Sequence, residues 1–253
     1  MAERFFVPEI GRGPTVELTG EEAHHLTRVR RVRVGEPVQV FDGSGIECEA
    51  VVSEIGKRSV RLAVLKRERV DRELPIAVTL ACSPPRGDRL RWLVEKATEL
   101  GVTRFVPLLT NRAAEHARGV DASKLRRWVI EASKQCGRNV LMEITESVAW
   151  PALLESCPPN TLCILADPRG EPLVLPESAR AAREVVIAIG PEGGFTESEL
   201  NAARMRGWLS AQLGPRTLRI ETAAIVMITR VIAARGLDRD FLRDPPVPTL
   251  DPP

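Results

Sequence analysis

Two loops rich in glycine and proline, one helix apart, constrain the fold of this chain more than any other feature. Each follows an apolar run: Val185–Ile189 leads into Gly190-Pro191-Glu192-Gly193-Gly194, and Trp208–Leu213 leads into Gly214-Pro215. A short apolar run bounded by turn residues suits a strand buried in a parallel sheet. Glycine and proline then let the backbone turn sharply and lie close to a ligand. Thr196 and Glu199 are spaced as a capping box that opens a helix after the first loop. Glu221–Ala234 reads as a helix after the second. Both strand ends are expected to face one pocket.

A lone glycine-rich turn is ordinarily a tight strand-to-helix connection, but here two loops need explaining. Neither matches the dinucleotide pattern G-x-G-x-x-G or the nucleoside-triphosphate pattern G-x-x-x-x-G-K-[ST]. Glu192, inside the first turn, would repel a polyphosphate. The residue types therefore favour a ligand held mainly by backbone groups and carrying positive or no charge. S-adenosyl-L-methionine, a sulfonium cation, fits.

The paired segments GPEGG and Leu213-Gly214-Pro215-Arg216-Thr217-Leu218-Arg219-Ile220-Glu221-Thr222-Ala223 resemble the signature of the SPOUT methyltransferases, and of the RsmE family in particular. The likeness spans nearly the whole chain. It takes in Arg4-Phe5-Phe6-Val7, His24-His25-Leu26, Phe41-Asp42-Gly43, Glu95 to Val102, Asn111-Arg112 and Gln135-Cys136-Gly137-Arg138. The resemblance implies an α/β fold: a SPOUT-type parallel-sheet domain with a deep trefoil knot, preceded by a small PUA-like β-barrel that binds RNA. It also implies a homodimer and S-adenosyl-L-methionine as cofactor. The substrate would be 16S ribosomal RNA within the 30S subunit, and the product 3-methyluridine.

In that reading the cofactor contacts are Leu165, Ala166, Ile189, Gly190, Glu192, Gly193, Gly194, Leu213, Gly214, Leu218, Arg219, Glu221, Thr222 and Ala223. Uracil N3 carries a proton at neutral pH, so a group must remove it or stabilise the anion spread over O2 and O4. Arg219 and Arg216 are candidate clamps for that anion, and Glu221 and Glu192 candidate bases. Glu221 has an equally good structural reading, because a carboxylate in the first turn of a helix favours its dipole. Two alternatives stay open. One is a related enzyme acting on a ribose 2′-hydroxyl or a purine; the other is a non-catalytic RNA-binding or ribosome-assembly factor.

Composition bears on the partner. The formal net charge is only +2, so RNA contact would need local patches. Arg28, Arg30, Arg31 and Arg33 form the densest cluster, at the end of a helix that Thr19 and Glu22 are spaced to cap. An RNA-contacting patch and a solvated helix end are equally good readings. Arg4, Arg86, Arg112, Arg118 and Arg138 are further RNA candidates, with Arg112 and Arg138 alternatively reaching a partner subunit. His24, His25 and His116 are too few and too scattered for a metal centre. Of the adjacent pair, one histidine is expected buried with a partner and one exposed. Five cysteines without C-x-x-C spacing read as reduced thiols. No apolar run approaches a membrane span and no leader pattern opens the chain, so a cytoplasmic, membrane-free location is expected.

Residues 1–73 read as short strands around one helix, closing on a charge-rich linker from Lys66 to Glu73. From Leu74 strands and helices alternate, giving an α/β domain over 74–240. Within it Asp88 opens a helix stopped by Gly101, Ser123–Gln135 is a helix ended by Gly137, and Leu162–Ala166 is a buried strand. Residues 241–253, rich in proline, read as a disordered tail.

Overall fold

The computed structural model describes residues 3–113, 119–176 and 181–237. His116, Arg118 and the tail at 241–253 lie outside the described residues. The chain divides into two compact units. One comprises the chain up to Glu73 together with Ser123–Glu143; the other comprises Leu74–Ala122 and the chain from Ile144 onward.

In the first unit, β1 (Glu3–Phe6), β2 (Thr15–Thr19), β3 (Pro37–Phe41), β4 (Ile46–Ile55) and β5 (Ser59–Arg69) form one sheet in the order β1-β3-β4-β5-β2. β1 runs parallel to β3 and the other neighbours are antiparallel. Alternation sets the faces: Val16 and Leu18 of β2 are buried while Thr15, Glu17 and Thr19 are exposed. Phe5, Leu18, Val40, Cys48 and Leu62, one from each strand, share a single core. A sheet whose five strands meet in one core must curl around it. Helix α1 (Gly20–His24) passes into a π-helical turn, His25–Val29, and plugs that core with Ala23 and Leu26. His24 is exposed, and half-buried His25 stands edge-on to Phe5 at 6.2 Å between ring centroids.

Three details differ from the sequence reading. Thr19 is the N-cap of α1, but its side chain makes no capping bond. Glu22 accepts instead from the Phe6 N–H at 3.4 Å and from Lys134 Nζ at 3.0 Å, so a distant cation wins the carboxylate from the local cap. The expected linker is shortened, because Lys66–Arg69 continues β5 opposite Ile46–Glu49. Finally, Ser123–Glu143, which carries most of α3 (Ala122–Cys136), belongs to the first unit.

The physical reason is a set of pairs between residues far apart in sequence. Arg138 forks onto Glu73 through Nε at 2.8 Å and Nη2 at 2.5 Å. Asn139 Oδ1 accepts from Arg4 Nη2 at 2.6 Å. Glu47, 3% exposed, accepts from Arg4 at 3.1 Å and from Arg72 at 3.0 Å. Burial alone would raise the Glu47 pKa, but hydrogen bonds from Arg72, Asn139 and Arg4 outweigh it and hold the carboxyl below its usual range.

The second unit is a parallel sheet with helices. Its elements are β6 (Ala77–Cys82), α2 (Asp88–Glu99), β7 (Arg104–Leu109), β8 (Glu143–Ile144), β9 (Val148–Ala149), α4 (Trp150–Ser156), β10 (Leu162–Pro172), β11 (Glu184–Ile189), α5 (Glu197–Met205), β12 (Leu209–Gln212) and α6 (Ile220–Ala234). The strand order is β12-β10-β11-β6-β7, with β8 at the β7 edge and β9 also pairing β7. From β12 to β7 every pairing is parallel. Val185–Ile189 is buried throughout, as a central strand requires. Helix α6 covers the sheet with Ala224, Met227, Ile228 and Val231, each fully buried. No helix among the described residues is long and apolar enough to cross a membrane.

β10 is longer than the expected Leu162–Ala166. Ala166 and Glu171 both pair with Ala211, so residues 167–170 bulge from the ladder. Gly170 permits the return, because a Cβ there would sit 2.7 Å from the Ser210 carbonyl oxygen.

Candidate active site

β10 lies between β11 and β12, so the loops leaving those two strands open toward each other across the end of β10. They enclose a cavity of about 460 Å³ at the carboxyl ends of the three strands, the place where open α/β sheets bind ligands. Gly190-Pro191-Glu192-Gly193-Gly194 forms one wall, and Leu213, Gly214 and Arg216–Leu218 form the other. The floor comes from Ala166 and the bulge at Asp167, Pro168 and Arg169.

Local chemistry fixes the first loop. Thr196 caps α5: its Oγ1 accepts from the Glu199 N–H, and Glu199 Oε2 accepts from the Thr196 N–H at 2.7 Å. This is the capping box expected from the sequence. The other oxygen of Glu199 accepts from the Asn111 N–H at 2.8 Å. That positions Arg112, whose Nη1 donates to the Gly193 carbonyl at 2.6 Å. Phe195 packs on Trp150 with ring centroids 4.7 Å apart. A Cβ at Gly190 would lie 3.1 Å from the Phe195 ring, so the turn admits no side chain without displacing it.

Most of the expected cofactor residues meet here. Ala166, Ile189, Gly190, Glu192, Gly193, Gly194, Leu213, Gly214, Leu218 and Ala223 line the cavity, as do Arg216 and Arg112. Four lie outside its lining. Leu165 points the other way along β10 and is 1% exposed in the hydrophobic core. Arg219 is the exposed N-cap of α6, and Thr222 is exposed one turn on. Glu221 is buried in the first turn of α6, and its Oε2 has no hydrogen-bond partner among the described residues. Burial first, and the Glu221 carboxylate second, push the Cys82 thiol pKa well above its usual range.

The expected RNA contacts fall into four groups. Arg28, Arg30, Arg31 and Arg33 are exposed around the π turn; Arg30 pairs with Glu3 at 2.9 Å, and Arg31 takes a left-handed backbone with φ 54°. Arg86 is exposed just ahead of α2. Arg4 and Arg138 turn inward and brace the first unit on Glu47, Asn139 and Glu73, while Arg112 is spent on the glycine loop.

The sequence reading missed Asp167, Arg169 and Glu197 at the cavity edge. Arg169 bridges the other two, with an ion pair to Glu197 and a longer contact to Asp167 at 3.4 Å. The available signal was Asp167-Pro168, a polar break at the end of an apolar run. Among the described residues, no group of three or more His, Cys, Asp or Glu side chains could hold a metal ion.

Comparison with known proteins agrees with this architecture. The RNA methyltransferase domain family matches residues 72–232, and the RNA methyltransferase PUA domain family matches residues 18–65. Ribosomal RNA small subunit methyltransferase E of Bacillus subtilis is 30% identical, over 90% of this chain and 95% of the relative. The Synechocystis protein of the same name is 34% identical, over 92% of this chain and 78% of its own length. The crystal structure of ribosomal RNA small subunit methyltransferase E from Neisseria gonorrhoeae, bound to S-adenosyl methionine, superposes with a TM-score of 0.84 at 29% identity. It covers 92% of this chain and 98% of that one. A likeness that runs through both units and includes the two loops of the cavity places the chain in the ribosomal RNA small subunit methyltransferase E family.

Proposed function

We propose that this protein methylates N3 of a uridine in 16S ribosomal RNA, using S-adenosyl-L-methionine as methyl donor. The observation that carries the reading is the convergence of both glycine loops on one cavity at the carboxyl ends of β10, β11 and β12. The cavity suits the cofactor. Its size lies within the range of small-molecule sites. Glycine turns form its two walls, and the carboxylates of Asp167, Glu192 and Glu197 line it beside Arg112, Arg169 and Arg216. When bound, the cofactor supplies a methyl group activated on a sulfonium.

The chain's own residues do the rest. Backbone groups of Gly190–Gly194 and of Leu213 and Gly214 hold the cofactor, with Ile189, Leu218 and Ala223 as apolar walls. Arg216, exposed at the rim, is placed to hold the negative charge that develops on uracil O2 or O4. Glu192, also at the rim, is the carboxylate of the first loop within reach of an incoming base, and takes the N3 proton in this reading. Glu221 acts through position: buried in the first turn of α6, it favours the helix dipole. Arg219, at the exposed N-cap, is assigned to RNA.

Further parts of the reading rest on the family. They are a knotted second domain within 74–240, a homodimer, a cytoplasmic setting and a substrate presented within the 30S subunit. The exposed arginines around the π turn supply a first-unit contact for phosphate. The test is incubation with labelled S-adenosyl-L-methionine and unmethylated 30S subunits or 16S RNA, followed by nucleoside mass spectrometry. The expected product is 3-methyluridine. A 2′-O-methylated or purine product would overturn the specificity, and absence of transfer from a protein that binds cofactor would favour a binding factor.

A further inference from the structure

The glycine loops leave the carboxyl ends of their strands. At the opposite, amino-terminal end of β10, two cysteines line a second cavity, of about 510 Å³. Cys157 is the half-buried C-cap of α4, and Cys163, near the start of β10, is 8% exposed. The chain between them doubles back in a type II turn. The Thr161 N–H donates to the Pro158 carbonyl at 3.3 Å, and Asn160 takes a left-handed backbone with φ 67°. Proline and asparagine suit the two central positions of such a turn. The return brings the Cys163 thiol into a hydrogen bond with the Cys157 sulfur, which itself lies 3.3 Å from the Leu153 carbonyl oxygen. Both cysteines pack in the core cluster that holds Trp208, and Trp208 also lines the cavity. Cys48 and Cys82 are buried elsewhere, and Cys136 is exposed at the end of α3.

We propose that Cys157 and Cys163 form a redox site, at which hydrogen peroxide entering the second cavity converts the two thiols to a disulfide that ties the end of α4 to the start of β10. The site is independent of the methyl-transfer reading. Its two thiols are unlike. The hydrogen bond from Cys163 lowers the Cys157 pKa and outweighs the opposing effect of burial; the same bond first, and burial second, raise that of Cys163. Cys157, the more exposed of the two, is therefore the thiolate that meets the oxidant, and Cys163 is the thiol behind it. The Cys157 sulfur attacks one oxygen of the peroxide. The O–O bond breaks, hydroxide leaves and takes up the proton that Cys157 released, and Cys157 becomes a sulfenic acid. The Cys163 sulfur then displaces the sulfenic hydroxyl, which departs as water with the Cys163 proton. The pair loses two electrons and two protons, and the peroxide becomes two waters. A disulfide needs its two sulfurs brought within bonding reach, and the turn at Pro159 and Asn160 supplies that approach in the reduced chain.

The full chain is reduced, freed of reductant, treated with hydrogen peroxide, then alkylated under denaturing conditions and mapped by peptide mass spectrometry. The expected product is a peptide pair joined through Cys157 and Cys163 of one chain. Both thiols should be lost in step, before Cys48 or Cys82, and dithiothreitol should restore them. Cys157→Ser should abolish the link. Cys163→Ser should leave Cys157 as a sulfenic acid that dimedone traps; a folded variant that yields no such adduct overturns the assignment of Cys157 as the attacking thiol. The proposal is overturned if Cys157 runs on to sulfinic acid while Cys163 is still alkylated, because the second sulfur then does not reach the first. It is equally overturned if the pair stays reduced while Cys136 is oxidised, or if the link found joins Cys136 of two chains. The wild-type map decides these outcomes even should a serine variant fail to fold.

Discussion

The buried and half-buried carboxylates of the two units are treated in opposite ways. In the first unit Glu22, Glu47 and Glu73 each have both oxygens occupied, by Lys134, by Arg4 and Arg72, and by Arg138. In the second, Glu199 is equally satisfied, but Asp167 and Glu221 each keep an oxygen without a partner among the described residues. Satisfied carboxylates hold chain segments together; the unsatisfied ones lie at or just behind the cavity. The carboxylates that serve architecture are thus marked by their hydrogen bonds.

The sharpest way to break this contrast is Glu47→Ala, which takes the shared carboxylate from Arg4 and Arg72. Removing one partner from a buried ion network costs about 3–5 kcal/mol. Denaturant unfolding followed at Trp128, on α3 of the first unit, should report that loss, while S-adenosylhomocysteine affinity at low denaturant stays near wild type. Equal losses in both readouts would erase the distinction. Gly190→Ala should do the reverse. Crowding the Phe195 ring should cost roughly 1–3 kcal/mol, read by calorimetry as weaker cofactor binding, with the unfolding midpoint at Trp128 unchanged.

Thr196→Ala removes a cap and should cost about 1 kcal/mol, seen as a lower melting temperature with a smaller drop in cofactor affinity. The mildest test is pH. The Glu47 pKa is lowered on folding, so its contribution is present above the unfolded value of about 4.3. It is lost as pH falls through the lower folded value. The wild type should therefore lose stability faster than Glu47→Gln below about pH 4, and parallel acid-unfolding curves would contradict this.

Much of the second unit was legible in the sequence because its rules are local. An apolar run followed by glycine marks a buried strand and its loop, and Thr196 and Glu199 are a cap by spacing alone. Thr19 and Glu22 show the same spacing, yet Glu22 is taken by Phe6 and Lys134. No local rule anticipates a lysine 112 residues away. For the same reason the sequence assigned Ser123–Glu143 to the alternating strand-helix part, while Arg138 and Asn139 tie it to the first unit. Asp167 was missed because a free lone pair is a property of the folded neighbourhood and has no pattern in the chain. Leu165 lies outside the cavity lining because adjacent strand residues face opposite ways.

The interrupted first unit has a consequence for synthesis. A nascent chain that has emerged only as far as Glu73 holds all five strands of its sheet but lacks Lys134, Arg138 and Asn139. Glu73 and Glu22 then wait without those partners while some fifty residues of the other unit leave the ribosome. N-terminal domains usually complete folding first; here the first unit can be finished only after β6, α2 and β7 have been made. A fragment cut at Glu73 should accordingly be a poor stand-in for the complete first unit.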